Sequence, residues 1–306
     1  MTFVSASGCT FLDDAGQCWL DAGVSNALLG HAHPAVTEAV TRSLQHGGVD
    51  VRERERCIER LLQKFPTEYS VCYLTNSLTE ANELALRLAR AHGAGKDVIV
   101  LDDAEHGMST SLVNMGPTRR KFWVQVASRE QASIVAERTH EIQSSGRGLC
   151  GFFAEGVFEE GYLRDAYATV RAAGGLNIAI EAQTGMGRIG QAFWEFARHR
   201  ASPDIVVVGE SLANGLPLAA VVTRPEFAAP FPVDPNVSSV ACAAANAVFD
   251  ALQVPEQALC CEIQGLDAVR LREHRVLLPT RGTTGLFRPP LCWSAAEAQW
   301  FLRASA

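Results

Sequence analysis

What most limits how this chain can fold is a series of short apolar runs, each followed by a segment of helical spacing. The runs are Val71–Leu74, Asp97–Leu101, Phe122–Ala127, Leu149–Gly156, Asn177–Ala182 and Asp204–Gly209. Most are continuously apolar rather than alternating, so they read as strands buried on both faces. Only a sheet covered by helices on each side provides that environment. Ala35–Leu44 and Arg52–Phe65 carry helical periodicity, the second with Ile58, Leu61, Leu62 and Phe65 on one side. Ser77 and Glu80 have the spacing of a capping box. They precede a helix with Ala81, Leu84, Ala85 and Leu88 on its apolar face and Gly93 and Gly95 at its end. The segment "EGYLRDAYATVRAAGG" reads as a helix between two strands, and Gly16–Gly23 as a short strand or hairpin. The expected fold is α/β, with a mostly parallel central sheet and helices on both faces.

Beyond Ala241 the pattern becomes helical through "CAAANAVFDALQ" and "EIQGLDAVRLREH", then closes with a short β-like piece and a helix, "SAAEAQWFLRA". The expected organisation is an N-terminal segment (1–35), a large domain (36–225) and a small, shortened C-terminal α+β domain (226–306). A net charge of -7 gives no electrostatic reason to expect nucleic acid or an anionic membrane as partner. No apolar run approaches the length of a membrane span, and "MTFVSASGCTFLDD" lacks a basic region followed by an apolar core. A cytoplasmic location is the expectation. The 9 cysteines form no CxxC pair, which points to free thiols in a reducing compartment and to no zinc site. The only lysines are Lys64, Lys96 and Lys121.

Four stretches occur in order: "LDAGVSNALLGHAHPAV", "NSLTEANELALRLAR", "IEAQTGMGRIGQAFWE" and "PDIVVVGESLANGLPLAAVVT". Together they resemble the class III (ornithine/GABA-type) aminotransferases, which use pyridoxal phosphate on the fold-type I scaffold. "VACAAANAVFDAL" and "VLLPTRGTTGLFRPPL" fit later segments of the same family. The resemblance runs from about Phe11 to the C-terminus and implies that fold and a dimer. The chain is short for the family, with the missing parts expected at the N-terminus and between Ala220 and Leu278.

Carried over residue by residue, the resemblance implies a changed site. The Schiff-base lysine of the family falls at Glu210, and a carboxylate forms no imine. The aspartate that pairs with the pyridinium nitrogen falls at Ile180, while the next glutamate is kept as Glu181. The ring-stacking aromatic falls at Glu105, just before His106. The glycine of the phosphate-binding turn falls at Leu78, between Ser77 and Thr79. The phosphate-binding threonine lent by a partner subunit falls near Asp234. A substrate-carboxylate arginine falls at Leu286, with Arg288 two positions on. The expectation from these departures is that pyridoxal phosphate binding is lost and that the site uses no cofactor and no metal.

Glu210 is then either a general acid/base, its pKa raised by a partly apolar pocket, or a solvated carboxylate in an inactive site. His106, Glu181 and Glu105 are its candidate catalytic partners. Ser77, Leu78, Thr79, Ile180, Gln183, Asp234 and Arg288 are candidate ligand contacts. His31 and His33 read as structural, and Gly185, Gly187 and Gly190 as a backbone turn rather than a dinucleotide loop. The expected function is a repurposed, cofactor-independent enzyme. It would perform an isomerisation, cyclisation, elimination or hydrolysis on a small amine or imine, cationic or neutral, as a homodimer. The alternative is a non-catalytic subunit that pairs with an active aminotransferase or other enzyme, and a third reading is retained but feeble cofactor chemistry without the lysine.

Overall fold

The computed structural model describes residues 2–116, 122–190, 192–234, 236–254 and 260–305, with the backbone alone at Glu210. Strands β1 (Phe3–Ser7), β2 (Thr10–Asp13) and β3 (Cys18–Asp21) open the chain as an antiparallel meander. Next come α1 (Pro34–Gln45), α2 (Val51–Leu62), β4 (Val71–Thr75), α3 (Leu78–His92), β5 (Asp97–Leu101), β6 (Val124–Ala127), α4 (Ala132–Ser144) and β7 (Leu149–Glu155). They are followed by α5 (Tyr162–Ala172), β8 (Leu176–Ile180), the single-turn α6 (Glu195–Arg198), β9 (Ile205–Val208) and β10 (Ala219–Thr223). The last part holds α7 (Ser239–Ala251), β11 (Cys261–Ile263), α8 (Ala268–Glu273), β12 (Val276–Leu277), β13 (Thr280–Arg281), β14 (Thr284–Phe287) and α9 (Ala295–Ser305).

Among the described residues, a 7-stranded sheet runs in the order β4-β10-β9-β8-β7-β5-β6. Strands β5 to β9 pair in parallel, and β10 is antiparallel to both neighbours. Every residue of β5, β7, β8 and β9 is buried, as their continuous apolar sequences require. Helix α3 starts where the capping box places it. The Ser77 hydroxyl accepts the Glu80 N–H at 3.1 Å, and the Glu80 carboxylate reaches back to the Asn76 N–H at 2.8 Å. Its face of Ala81, Leu84, Ala85 and Leu88 is buried, and Gly93 ends it. Burial of Leu84 and Leu88 contributes roughly 2–3 kcal/mol each.

The strand order matters for the site. From β5 the chain steps outward to β6, then returns to the other flank of β5 to lay down β7, β8 and β9. The connections on the two sides of this point lead in opposite directions, which opens a crevice at the carboxyl ends of β5 and β7.

One expectation is corrected here. "EIQGLDAVRLREH" is not one helix. Cys261–Ile263 is a strand paired with β14, Gly265 turns the chain at φ +76°, and the Asp267 carboxylate accepts the Val269 N–H to start α8 at Ala268. Helix α7 packs on α1 and α2 within the core that contains Ile99 and Val206. At the other end of the chain, β12 pairs with β3, and Leu20 and Ala22 share a cluster with Leu271, Val276 and Phe301. Among the described residues, no helix is long and apolar enough to cross a membrane.

Backbone crowding dictates glycine where the loop after α3 meets the loop before β7. A Cβ on Gly148 would lie 2.1 Å from the Ala94 carbonyl oxygen, whereas one on Gly146 would meet nothing within 4 Å. Gly148→Ala is expected to cost about 3 kcal/mol in denaturant unfolding, and Gly146→Ala about 1 kcal/mol from its positive φ alone.

Candidate functional site

The crevice is a cleft of 670 Å³ between the sheet ends and the small sheet of β11, β13 and β14. The large unit contributes Asp103 and Glu105 after β5, Arg129 after β6, Glu155 at the end of β7, and Gln183. The facing wall contributes Glu262, Arg281 and Arg288. Arg129 ties the floor together. One amino group donates to the Glu155 backbone carbonyl at 2.7 Å, and the other donates to both Asp103 carboxylate oxygens at 2.6 Å. Gly156 makes room for it: at φ +108°, a Cβ there would fall 1.6 Å from Arg129 Nη1.

Glu155 is a carboxyl in this cleft with a displaced proton affinity. Burial pushes its carboxyl up to about 7, against the opposing hydrogen bond from Gln183 and the charge of Arg129. Gln183 Nε2 donates to Glu155 Oε1 at 2.9 Å. A carboxyl that titrates near neutrality can both take and give a proton at physiological pH. Arg281 Nη1 donates to the Asp103 carbonyl, and Arg288 Nη1 donates to Asn26 Oδ1 at 2.9 Å.

The residues singled out in the sequence divide into several groups. Glu105, Gln183 and Arg288 line the cleft; the Glu105 side chain is exposed and lies 3.9 Å from Arg281. Glu181, expected to face the cleft, does not. It is buried behind the strand end, where its carboxylate accepts the Phe196 N–H at 3.0 Å and the Thr184 hydroxyl at 2.8 Å. Burial also lifts its carboxyl to about 7. His106 is buried against the Phe153 ring, and burial pushes its pKa down to about 4. Burial therefore favours the neutral imidazole, which keeps one ring N–H and is a much weaker acid than an imidazolium.

Glu210 opens a 3₁₀ turn (Glu210–Ala213) at the carboxyl end of β9, and its side-chain position lies outside the described residues. Ser77 caps α3, and Thr79 packs under Gly107, where a Cβ would lie 2.5 Å from the Thr79 hydroxyl. Leu78 packs with Ile180 and Ala182 in one apolar cluster. Asp234 lines a separate 320 Å³ pocket bordered by α2 and β4, and its carboxylate accepts the Asn236 N–H. Among the described residues, no cluster of His, Cys, Asp and Glu is placed to hold a metal ion. Lys96 precedes β5 at the end away from the cleft, and Lys64 lies over the Phe193 ring. Lys121 lies outside the described residues.

Asp103, Arg129, Glu155 and Arg281 went unnoticed in the sequence. Glu155 carried a usable signal, since "CGFFAE" ends a buried strand in a carboxylate just as "DIVVVGE" does.

The aminotransferase class-III family model matches residues 1–124 and 147–273. The chain belongs to the class-III aminotransferase family. An alanine–glyoxylate aminotransferase 2-like protein of Drosophila melanogaster is 32% identical over 302 residues, covering 83% of this chain and 61% of its own length. A solved phospholyase from Arthrobacter, in complex with phosphoethanolamine, superposes with a TM-score of 0.87 at 26% identity, covering 99% of this chain and 93% of that one. An ornithine aminotransferase from Toxoplasma gondii, reported with partial occupancy of PLP at its active site, has a TM-score of 0.81 at 21% identity, covering 99% and 88%, and supports the fold alone. The chain spans less than two thirds of the length of the curated relatives it matches.

These matches correct the expectation of a site without cofactor. Membership of this family and the likeness to these enzymes point to pyridoxal phosphate. The chain's residues suit that group in one respect and not in another. The N-terminus of the 15-residue α3 is a weak anion site, because the Ser77 hydroxyl already takes the Glu80 N–H and the Glu80 carboxylate lies on the Asn76 N–H. With glutamate at 210, however, that position has no amine to form the imine, and the buried Ile180 offers no charge to a pyridinium nitrogen.

Glu155 also gives a pH signature. Its folded pKa lies above the usual carboxyl value, so the folded state binds the extra proton and stability falls as pH rises from about 4.5 to about 7. In Glu155→Gln this component is absent. The variant is expected to gain up to about 3 kcal/mol over wild type at pH 8, with no gain at pH 4, in parallel urea titrations.

Proposed function

We propose that this protein is a class-III aminotransferase-family enzyme of small zwitterionic amines, in which Glu155 moves the proton. The observation that carries this reading is the buried carboxyl of Glu155, with its pKa raised to about 7, opening into a cleft that Arg281 and Arg288 also line. The cleft holds carboxylates and guanidiniums together. It therefore suits a ligand with an amine at one end and a phosphate or carboxylate at the other, rather than the purely cationic or neutral substrate its acidic residues alone suggest. The phosphoethanolamine carried by the Arthrobacter phospholyase has this form.

In this reading Arg281 and Arg288 orient the anionic end of the substrate. Asp103 and Glu105 face its ammonium group. Glu155 takes a proton from the carbon beside the nitrogen and returns one later in the cycle, with Gln183 holding Oε1 in place. Leu78, Ile180 and Ala182 keep the adjoining strand ends apolar and exclude water. Pyridoxal phosphate is the cofactor this reading assigns; the residues around Ser77 and Thr79 at the start of α3 would hold it, with no covalent bond to residue 210. When bound, it supplies an electron sink next to the amine.

A second reading rests on the glutamate at 210: the chain would complete the site of a lysine-bearing partner subunit.

The test combines pyridoxal phosphate titration by difference absorbance with phosphate release from phosphoethanolamine. Saturable binding is expected, with turnover that falls at least about 100-fold in Glu155→Gln while cofactor affinity stays unchanged. Equal turnover in Glu155→Gln and wild type would overturn the role of Glu155. Turnover that appears only on adding a lysine-bearing relative would favour the second reading.

A further inference from the structure

Outside the lining of the cleft, two cysteines 283 positions apart in sequence meet with their sulfurs 3.0 Å apart. Cys9 lies between β1 and β2 and is buried; Cys292 lies between β14 and α9 and is exposed. Backbone hydrogen bonds hold both segments in register. The Cys9 carbonyl accepts the Asp21 N–H at 2.8 Å, the Leu291 N–H donates to the Leu28 carbonyl at 2.7 Å, and the Arg288 N–H donates to the Ala22 carbonyl at 3.1 Å. The Trp293 indole donates to the Asp21 carbonyl at 3.2 Å. A disulfide needs the sulfurs to close by only about 1 Å. Of the two residues, Cys292 is exposed.

We propose that Cys9 and Cys292 form a reversible, peroxide-sensitive dithiol/disulfide pair that ties together the two ends of the chain. Cys292 is the attacking thiol. The Cys9 thiol as hydrogen-bond donor lowers its pKa to about 7, against burial and the carboxylate of Glu297, with His31 also favouring the thiolate. Hydrogen peroxide supplies the oxidant. The Cys292 thiolate attacks one oxygen, the O–O bond breaks, hydroxide leaves, and Cys292 becomes a sulfenic acid. The Cys9 sulfur then attacks the Cys292 sulfur. The S–O bond breaks, hydroxide leaves with the Cys9 proton as water, and the S–S bond forms. Two thiols are oxidised, and one peroxide is reduced to two waters. A thiol reductant such as glutathione reverses the change. Cys57 and Cys242 also share a thiol–thiol hydrogen bond, but both are buried and offer the oxidant no approach.

The bond would clamp the segment carrying Arg288 against residues 21–28, and so fix one wall of the cleft. It also joins residues that are adjacent only in the folded chain, so it should stabilise the oxidised form.

The test is treatment of the native, full-length protein with stoichiometric hydrogen peroxide, followed by N-ethylmaleimide and non-reducing peptide mapping. A single Cys9–Cys292 linked peptide is expected. It should disappear with dithiothreitol, and Tm should rise by about 5 °C in the oxidised form. In Cys9→Ser, dimedone should trap a sulfenic acid on Cys292. In Cys292→Ser, Cys9 should stay alkylated by the maleimide. The proposal fails if Cys9 remains fully alkylated in oxidised wild-type protein, or if oxidation spreads over the other cysteines without that linked peptide.

Discussion

The guanidinium of Arg129 holds the site together. It joins Asp103, just past β5, to the backbone carbonyl of Glu155 at the end of β7, the two strands that flank the reversal of the sheet. A charge that is mostly buried is costly without partners on it, and Asp103 supplies two short ones. The conformation of Gly156 is part of the same arrangement, since any side chain there would occupy the space of Arg129 Nη1. The sheet order creates a crevice, and this interaction gives it a floor with a defined shape.

Two buried carboxylates show why position decides chemistry. Desolvation lifts both Glu155 and Glu181 to about 7. Glu181 spends its oxygens on the Phe196 N–H and the Thr184 hydroxyl, so its role is to anchor the turn that follows β8. Glu155 accepts a side-chain hydrogen bond from Gln183 and borders the cleft. A raised pKa therefore marks both residues, and access to a ligand separates them. His106 reinforces the point: it is a buried histidine beside the candidate site whose burial leaves it neutral.

Much of the fold was legible because local signals agreed. The apolar runs at β5, β7, β8 and β9 were too continuous for an exposed sheet, and Ser77 with Glu80 announced the start of α3. β11 was misread as helix because three residues carry too little periodicity to outweigh the helical spacing beyond Asp267. The pairing of β3 with β12 joins residues 256 positions apart (276 − 20), which no local pattern reports. The candidate site was legible only in part. Glu210 stood out because a family resemblance marks its position, whereas Glu155 has the same strand-end setting without that mark. Finding Glu155 required the strand order, which depends on long-range pairing. Arg129 was invisible for a related reason, since both its partners lie 26 positions away in sequence. The expectation of a cofactor-free site weighted a few altered positions above the family as a whole, and the family matches overturned it.

The most direct test of the site assignment is a crystal structure of the protein with pyridoxal phosphate and phosphoethanolamine both present. The expected result is phosphoethanolamine in the cleft, its phosphate toward Arg281 and Arg288 and its amine-bearing carbon within reach of Glu155. A ligand bound elsewhere, with Glu155 still sealed against Gln183 and the cleft holding only solvent, would contradict it.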